Sequence, residues 1–259
     1  VVEMKVLITR DKTQALDFAR EIETYGFIPV FFPTIEITEP DLWDDVDEKI
    51  NRIDEYTDLI FTSANAVRFF LERFKKYQPI ENLKGKKIHV VGVKTKIEVE
   101  KYGLLVEPLP ERSDKGSLFE KILLNAVSGK KFLFPRGNLS EEEFIESARR
   151  KGIDIDDVIV YRTIKPNLGE NLKQEVKSML ESGEIGVVTF FSPSSVRNFV
   201  EIFGVALLRK QRIAVIGGTT LKACEELGLK VDVNPMEFNP KPDGAFLARL
   251  LWEVFKKNG

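Results

Sequence analysis

Phe61-Thr62-Ser63-Ala64-Asn65-Ala66-Val67 is echoed later in the chain by Phe190-Phe191-Ser192-Pro193-Ser194-Ser195-Val196. Both stretches close an apolar run with hydroxyl-bearing residues. Both then pass into apolar residues at helical spacing: Val67, Phe70, Leu71 and Phe74 in the first, Val196, Phe199, Val200 and Phe203 in the second. That spacing is one face of an α-helix. The short apolar run before it reads as a buried strand. Each stretch is therefore a strand-to-helix junction, and the junction occurs twice.

Further landmarks recur in the same order, about 125–129 residues apart, which marks an internal repeat. Lys5-Val6-Leu7-Ile8-Thr9-Arg10 matches Lys131-Phe132-Leu133-Phe134-Pro135-Arg136. Phe18 and Gly26 match Phe144 and Gly152. Val91-Gly92-Val93-Lys94-Thr95 matches Ile216-Gly217-Gly218-Thr219-Thr220, and Gly103 matches Gly228. Strands are expected at Val6–Thr9, Ile28–Phe32, Asp58–Thr62, Ile88–Gly92 and Leu104–Val106 in the first copy. In the second they are expected at Phe132–Phe134, Val158–Tyr161, Gly186–Phe191, Ile213–Ile216 and Lys230–Val233. Phe119, Ile122, Leu123 and Ala126, and likewise Leu247, Leu250, Leu251 and Val254, predict a helix near the end of each copy. Ser140 with Glu143 fits a capping box. Alternating apolar strands and helices predict α/β layers on parallel sheets.

Thr34–Asp41 and Thr163–Leu168 follow the second strand of each copy, contain Pro, and read as equivalent linkers. If both are linkers, residues 40–165 form one domain, and 1–36 with 168–259 form the other. Each domain would then hold five strands in a flavodoxin-like sheet, from an internal duplication. The repeat alone permits contiguous halves equally well.

Composition narrows the chemistry. The 259 residues are 43% apolar, and Lys+Arg 39 against Asp+Glu 41 leaves a formal charge of −2. A general nucleic-acid binder would carry a basic excess. One Cys and one His exclude a disulfide framework and a multi-histidine metal site. Val1–Ile8 is too short and too charged for a signal peptide, and no apolar run reaches the length of a membrane span. A cytoplasmic protein is expected. No dinucleotide fingerprint or P-loop occurs. His89, in Ile88-His89-Val90-Val91, reads as structural, and Cys224 as a small buried hydrophobe.

What remains are the junctions. Ser63-Ala64, Thr95, Ser192 with Ser194, and Thr219-Thr220 stand where strands pass into helices. In parallel sheets these points share the carboxyl edge, where helix N-termini present unpaired N–H groups that suit anions. Any single Ser or Thr there is well explained as a helix cap. Two matched pairs of junctions suggest a shared polyanion site. Arg10 and Arg136 end equivalent strands and are expected to face one cleft if the domains oppose each other. Arg68, Arg197, Arg212, Lys94, Lys96 and Lys222 lie near the same junctions and read as mostly solvated.

The ordered set resembles the uroporphyrinogen-III synthase family along nearly the whole chain. The matching residues are Leu7-Ile8-Thr9-Arg10, Pro33-Thr34-Ile35-Glu36-Ile37, Asp58 to Val67, Val91-Gly92, Val160-Tyr161, Phe190 to Val196 and Ile216 to Thr220. Gly218 departs from the family, which commonly has Pro there, and so does Lys96, where a small residue is usual. The resemblance implies two α/β domains, divided as ends plus middle and joined by two strand-like linkers, and a lyase of tetrapyrrole (haem, sirohaem, cobalamin) biosynthesis. It would close hydroxymethylbilane to uroporphyrinogen III with loss of water and inversion of the last ring. It implies no metal or organic cofactor. The ligand would be a small molecule with eight carboxylates, served to a monomer by the enzyme that makes it. This ligand suits the polyanion site read from the junctions, so substrate binding is expected at Arg10, Ser63, Ala64, Thr95, Arg136, Ser192, Ser194, Thr219 and Thr220. Tyr161 is the candidate acid for hydroxyl departure, although a strand aromatic beside a linker would read the same way. A non-catalytic two-lobed anion receptor is the alternative, and a nucleotide or flavin module the third reading.

Overall fold

The computed structural model describes residues 4–110, 115–125, 129–139, 141–240 and 242–256. The start of the Val1–Ile8 stretch, Ala126 of the helical pattern and Ser140 of the capping box lie outside the described residues. In chain order the elements are β1 (Lys5–Ile8), α1 (Lys12–Glu23), β2 (Ile28–Phe31), β3 (Glu36–Thr38), α2 (Asp44–Asn51), β4 (Asp58–Phe61), α3 (Ala64–Phe74), β5 (Lys87–Val90), α4 (Gly92–Glu100), α5 (Lys115–Asn125), β6 (Lys131–Gly137), α6 (Glu142–Arg150) and β7 (Asp154–Ile164). They continue with α7 (Glu170–Glu181), β8 (Ile185–Phe190), α8 (Pro193–Phe203), α9 (Val205–Leu208), β9 (Ile213–Val215), α10 (Gly218–Glu226) and α11 (Gly244–Phe255).

The chain divides into two compact units, Val1–Glu36 with Ile164–Gly259, and Ile37–Thr163. In the first, the sheet order is β2-β1-β8-β9, and each strand pairs with its neighbour in parallel. Alternation along each strand sends side chains to both faces. Val6, Ile8 and Val187 pack with Phe18 of α1 and Leu247 of α11. Leu7, Val188 and Phe190 turn the other way, toward Val176 of α7 and Phe199 of α8.

The second unit has the order β3-β7-β6-β4-β5, with β7-β6-β4-β5 parallel. Leu59, Phe61, Leu133 and Val160 face Val67 and Phe70 of α3. Ile60, Phe132 and Phe134 face Leu118 of α5 and Phe144 and Ile145 of α6. Both sheets are thus covered on both faces, as their parallel strands require. Among the described residues, no helix is long and apolar enough to cross a membrane.

Two expected strands do not form. Lys230–Val233 contributes one bridge, Val233 to Ala214. The Asp232 carboxylate accepts the Ile213 N–H at 2.9 Å, so a side chain occupies the place of a ladder carbonyl. Leu104–Val106 is not a strand either; its neighbour Glu107 donates to the Ile88 carbonyl at 2.8 Å. Pro108 and Pro110 follow and have no N–H to continue a ladder. The second sheet instead gains β3 as its edge, inside the expected linker.

His89 and Asp58 lie on neighbouring strands β5 and β4, and His89 Nε2 is 2.7 Å from Asp58 Oδ1. The Thr57 hydroxyl donates to the other carboxylate oxygen at 2.7 Å. Burial opposes ionisation of Asp58, but the bonds from His89 and Thr57 outweigh it and hold the carboxyl below its ordinary value. A depressed carboxyl contributes stability above its unfolded value of about 4 and loses it as pH falls through the folded value. Asp58→Ala should cost about 1–3 kcal/mol in thermal melts at pH 7, because it leaves the His89 ring and the Thr57 hydroxyl without their shared acceptor. The deficit relative to the parent should shrink below pH 4.

Candidate functional site

Parallel strands deliver their carboxyl ends to one edge of each sheet, and the polar junctions collect there. In the first unit, Ser192 caps α8. Its Oγ accepts the Ser195 N–H, and the Ser195 Oγ in return accepts the Ser192 N–H, completing a capping box. Pro193 occupies the first helical turn, where its missing N–H costs nothing. The start of α8 is tied to the end of β2 through Thr34. Its buried hydroxyl donates to the Ser195 carbonyl at 3.1 Å, and Asn198 Nδ2 donates to the Thr34 carbonyl at 2.7 Å. Ser194 lies half-buried in the first turn of α8.

Arg10 follows β1. Its Nε donates to Gln14 Oε1 at 2.8 Å, and its guanidinium lies 4.9 Å from the Phe191 ring centre. Burial lowers its pKa, with Asp11 and Asp17 acting in the opposite sense. At α10, Thr219 is exposed and Thr220 is buried. Thr95 is likewise buried within α4. The two inward threonines thus turn their side chains into the protein, although both stand close to helix starts.

In the second unit Ser63 caps α3, accepting the Ala66 N–H at 3.1 Å, with Ala64 as the first helical residue. The structure brings Ser63 and Tyr161 together: their hydroxyl oxygens are 3.2 Å apart. The Tyr161 ring is stacked on Phe69 of α3, with centres 5.9 Å apart. Burial pushes the phenol pKa up, with the Ser63 bond pulling the other way. Tyr161 is therefore a neutral hydroxyl across the ordinary range below about 10.

Arg136 differs from the expectation that it faces a cleft. It sits inside β6, 7% exposed, with Nε donating to Asp157 Oδ2 at 2.9 Å and Nη1 to the Gly137 carbonyl at 3.1 Å. Arg136 pairs with Ile159 in the ladder, and Asp157 lies on the same face of β7 two residues earlier. A guanidinium this buried needs a carboxylate beside it, and Asp157 fills that need. Arg212 also departs from its expected place. It precedes β9, at the amino edge, with its guanidinium 5.0 Å from the Phe255 ring centre.

Cavities add a contrast. One of about 570 Å³ lies at the end of β6, lined by Asn138, Glu141, Glu142 and Glu143 among others, and its acidic rim disfavours carboxylates. One of about 990 Å³ lies at the amino edge of the first sheet, lined by Met4, Gly186 and Arg212 among others, away from Ser192. Thr34, Asn138, Asn198 and Phe69, which brace these edges, carry no motif that the sequence could flag. Thr34 alone lies in one of the stretches that carry the family resemblance, Pro33-Thr34-Ile35-Glu36-Ile37.

Two α/β units with paired, hydroxyl-capped strand-to-helix junctions define the class of protein. A model described as uroporphyrinogen-III synthase HemD matches residues 17–242. The chain belongs to the uroporphyrinogen-III synthase family. It is 37% identical over 254 residues to a uroporphyrinogen-III synthase of Chlorobaculum parvum, covering 97% of this chain and 99% of that one. It is 30% identical over 233 residues to a putative uroporphyrinogen-III synthase of Methanocaldococcus jannaschii, covering 88% and 91%. The fold is shared with crystal structures of a mutant Thermus thermophilus uroporphyrinogen III synthase (TM-score 0.68, 16% identity, 98% of each chain) and of the Helicobacter pylori uroporphyrinogen-III synthetase (TM-score 0.65, 18% identity, 97% and 99%).

The two caps differ in what else they hold. Ser192→Ala should cost about 1 kcal/mol in thermal melts, the usual loss for a serine cap. Ser63→Ala should cost a similar amount and, in addition, move the alkaline titration of Tyr161. That change is read as an absorbance shift in the Ser63 variant and none in the Ser192 variant.

Proposed function

We propose that the chain closes hydroxymethylbilane to uroporphyrinogen III, releasing water and inverting the last ring, as a cyclising hydro-lyase of tetrapyrrole biosynthesis. Family membership supplies the reaction. The observation that supports a site for it is the neutral Tyr161 phenol held against the cap of α3. The helix starts at Ser63, Ser192 and Thr219 offer N–H groups for the carboxylates of the substrate. Arg10 offers charge. Arg136, committed to Asp157, is assigned to the framework instead.

Departure of the ring A hydroxyl needs a proton, and Tyr161 can give one without adding charge to a crowded polyanion. The hydroxyl leaves as water, and ring A becomes an electron-poor azafulvenium cation. Ring D attacks through its substituted carbon, the resulting spiro intermediate fragments, and the ring recloses inverted. The proton lost as the last pyrrole regains aromaticity returns to the phenolate, so protons balance. Head-to-tail closure without inversion is the competing route, and holding the chain in one folded geometry is what suppresses it. We assign the chain to the cytoplasm as a monomer, with the enzyme that produces the bilane as its candidate partner.

General-acid assistance typically contributes ~10²–10⁴-fold, and pyrrole-driven departure places this case at or below the low end. In single turnovers with freshly made hydroxymethylbilane, the parent should yield the type III isomer. Tyr161→Phe should be slower, by about tenfold or more, with the isomer unchanged. Binding without consumption by the parent would leave the anion receptor as the reading. An unchanged rate in Tyr161→Phe would remove Tyr161 from the chemistry.

A further inference from the structure

Gly137 ends β6 directly opposite Tyr161, where the ladder slips between Arg136 and Gly137. A β-carbon built on Gly137 would lie 2.6 Å from Cζ, 2.8 Å from the hydroxyl oxygen and 2.9 Å from Cε2 of Tyr161. All three are inside contact distance, so the hydroxyl end of the ring rests on the bare α-carbon. Gly137 is not among the glycines with positive φ. Its backbone would accept alanine, and the nearest obstacle to a side chain is the ring.

The ring has little freedom to step aside. One face is stacked on Phe69, and the hydroxyl is bound to Ser63. The next residue closes the segment from the far side. Asn138 Oδ1 accepts the Thr163 N–H at 2.8 Å, and Nδ2 donates to the Thr163 carbonyl at 3.4 Å. A side-chain amide thereby replaces the strand partner that β7 loses beyond the slip, and it fixes the backbone two residues after Tyr161.

We propose that Gly137 is a positioning residue for the Tyr161 hydroxyl: its missing side chain is the space that lets the phenol reach Ser63 at the cap of α3, with Asn138 holding the strand that carries it. This rests on the reading of Tyr161 as the proton donor. It predicts that a single methyl group at Gly137 swings the phenol off Ser63 and toward solvent while the sheet stays intact.

The test is a double-mutant cycle of Gly137→Ala and Tyr161→Phe, read in kcat, KM and isomer composition. Gly137→Ala should lower kcat about as far as Tyr161→Phe and leave KM unchanged. The doubly substituted enzyme should be no slower than the slower single one, because the misplaced hydroxyl is already gone. An alkaline absorbance titration isolates Tyr161, one of the five tyrosines of the chain, as the difference between enzymes with and without Tyr161→Phe. In the Gly137→Ala background that difference should appear at lower pH than in the parent, because burial no longer pushes the phenol up as far.

Effects on kcat that multiply, or a Tyr161 titration that does not move, overturn the proposal. Full activity in Tyr161→Phe would instead defeat the proton-donor reading, while a moved titration would still establish the hold of Gly137 on the ring. If Gly137→Ala does not fold, Asn138→Ala frees the same segment without inserting an atom. It should move the titration in the same direction, and an unmoved titration there overturns the proposal as well.

Discussion

Parallel pairing is the constraint from which the rest of the molecule follows. A parallel strand cannot turn back into its neighbour, so each must cross over through a helix, and every strand in a sheet ends at the same edge. That edge gathers the N-termini of the crossover helices, whose first N–H groups have no partner within the helix. Ser63 and Ser192 meet part of this need with their own side chains. The groups left over are what the edge can offer a ligand. The apolar faces of the sheets have no such freedom, since helices on both sides must bury them.

Much of this was legible in the chain. Apolar runs followed by Ser and then by helical spacing identify the junctions, because a cap needs only a local residue. The matched landmarks announced two similar sheets, and both show the same order around their central strands. What failed depended on partners distant in sequence. Arg136 looked like a cation at a strand end, and only the neighbouring strand shows that Asp157 claims it. Lys230–Val233 has the composition of a strand, but Asp232 uses its carboxylate where a backbone carbonyl would pair. Thr95 and Thr220 stood at the right places in the sequence, yet helical rotation turned them inward. The value of Gly137 was invisible, because a close approach between adjacent strands leaves no pattern in either one.

Burial gives Tyr161 its particular character. An exposed phenol would be hydrated and loosely oriented. Here Phe69, Gly137 and Ser63 fix the ring from three directions, and desolvation disfavours its anion. A carboxylic acid in that position would ionise and repel a polycarboxylate, and a lysine would compete for its carboxylates. A neutral hydroxyl held at a helix cap is a group that could donate a proton to a polycarboxylate without adding charge.

On the proposed mechanism this hydroxyl gives up its proton as the leaving water forms. The solvent isotope effect on a single turnover tests it most directly. The parent should turn over more slowly in D2O than in H2O, and Tyr161→Phe should lose that difference along with much of its rate. The same isotope effect in both enzymes would contradict the account, because the transferred proton would then come from somewhere other than Tyr161.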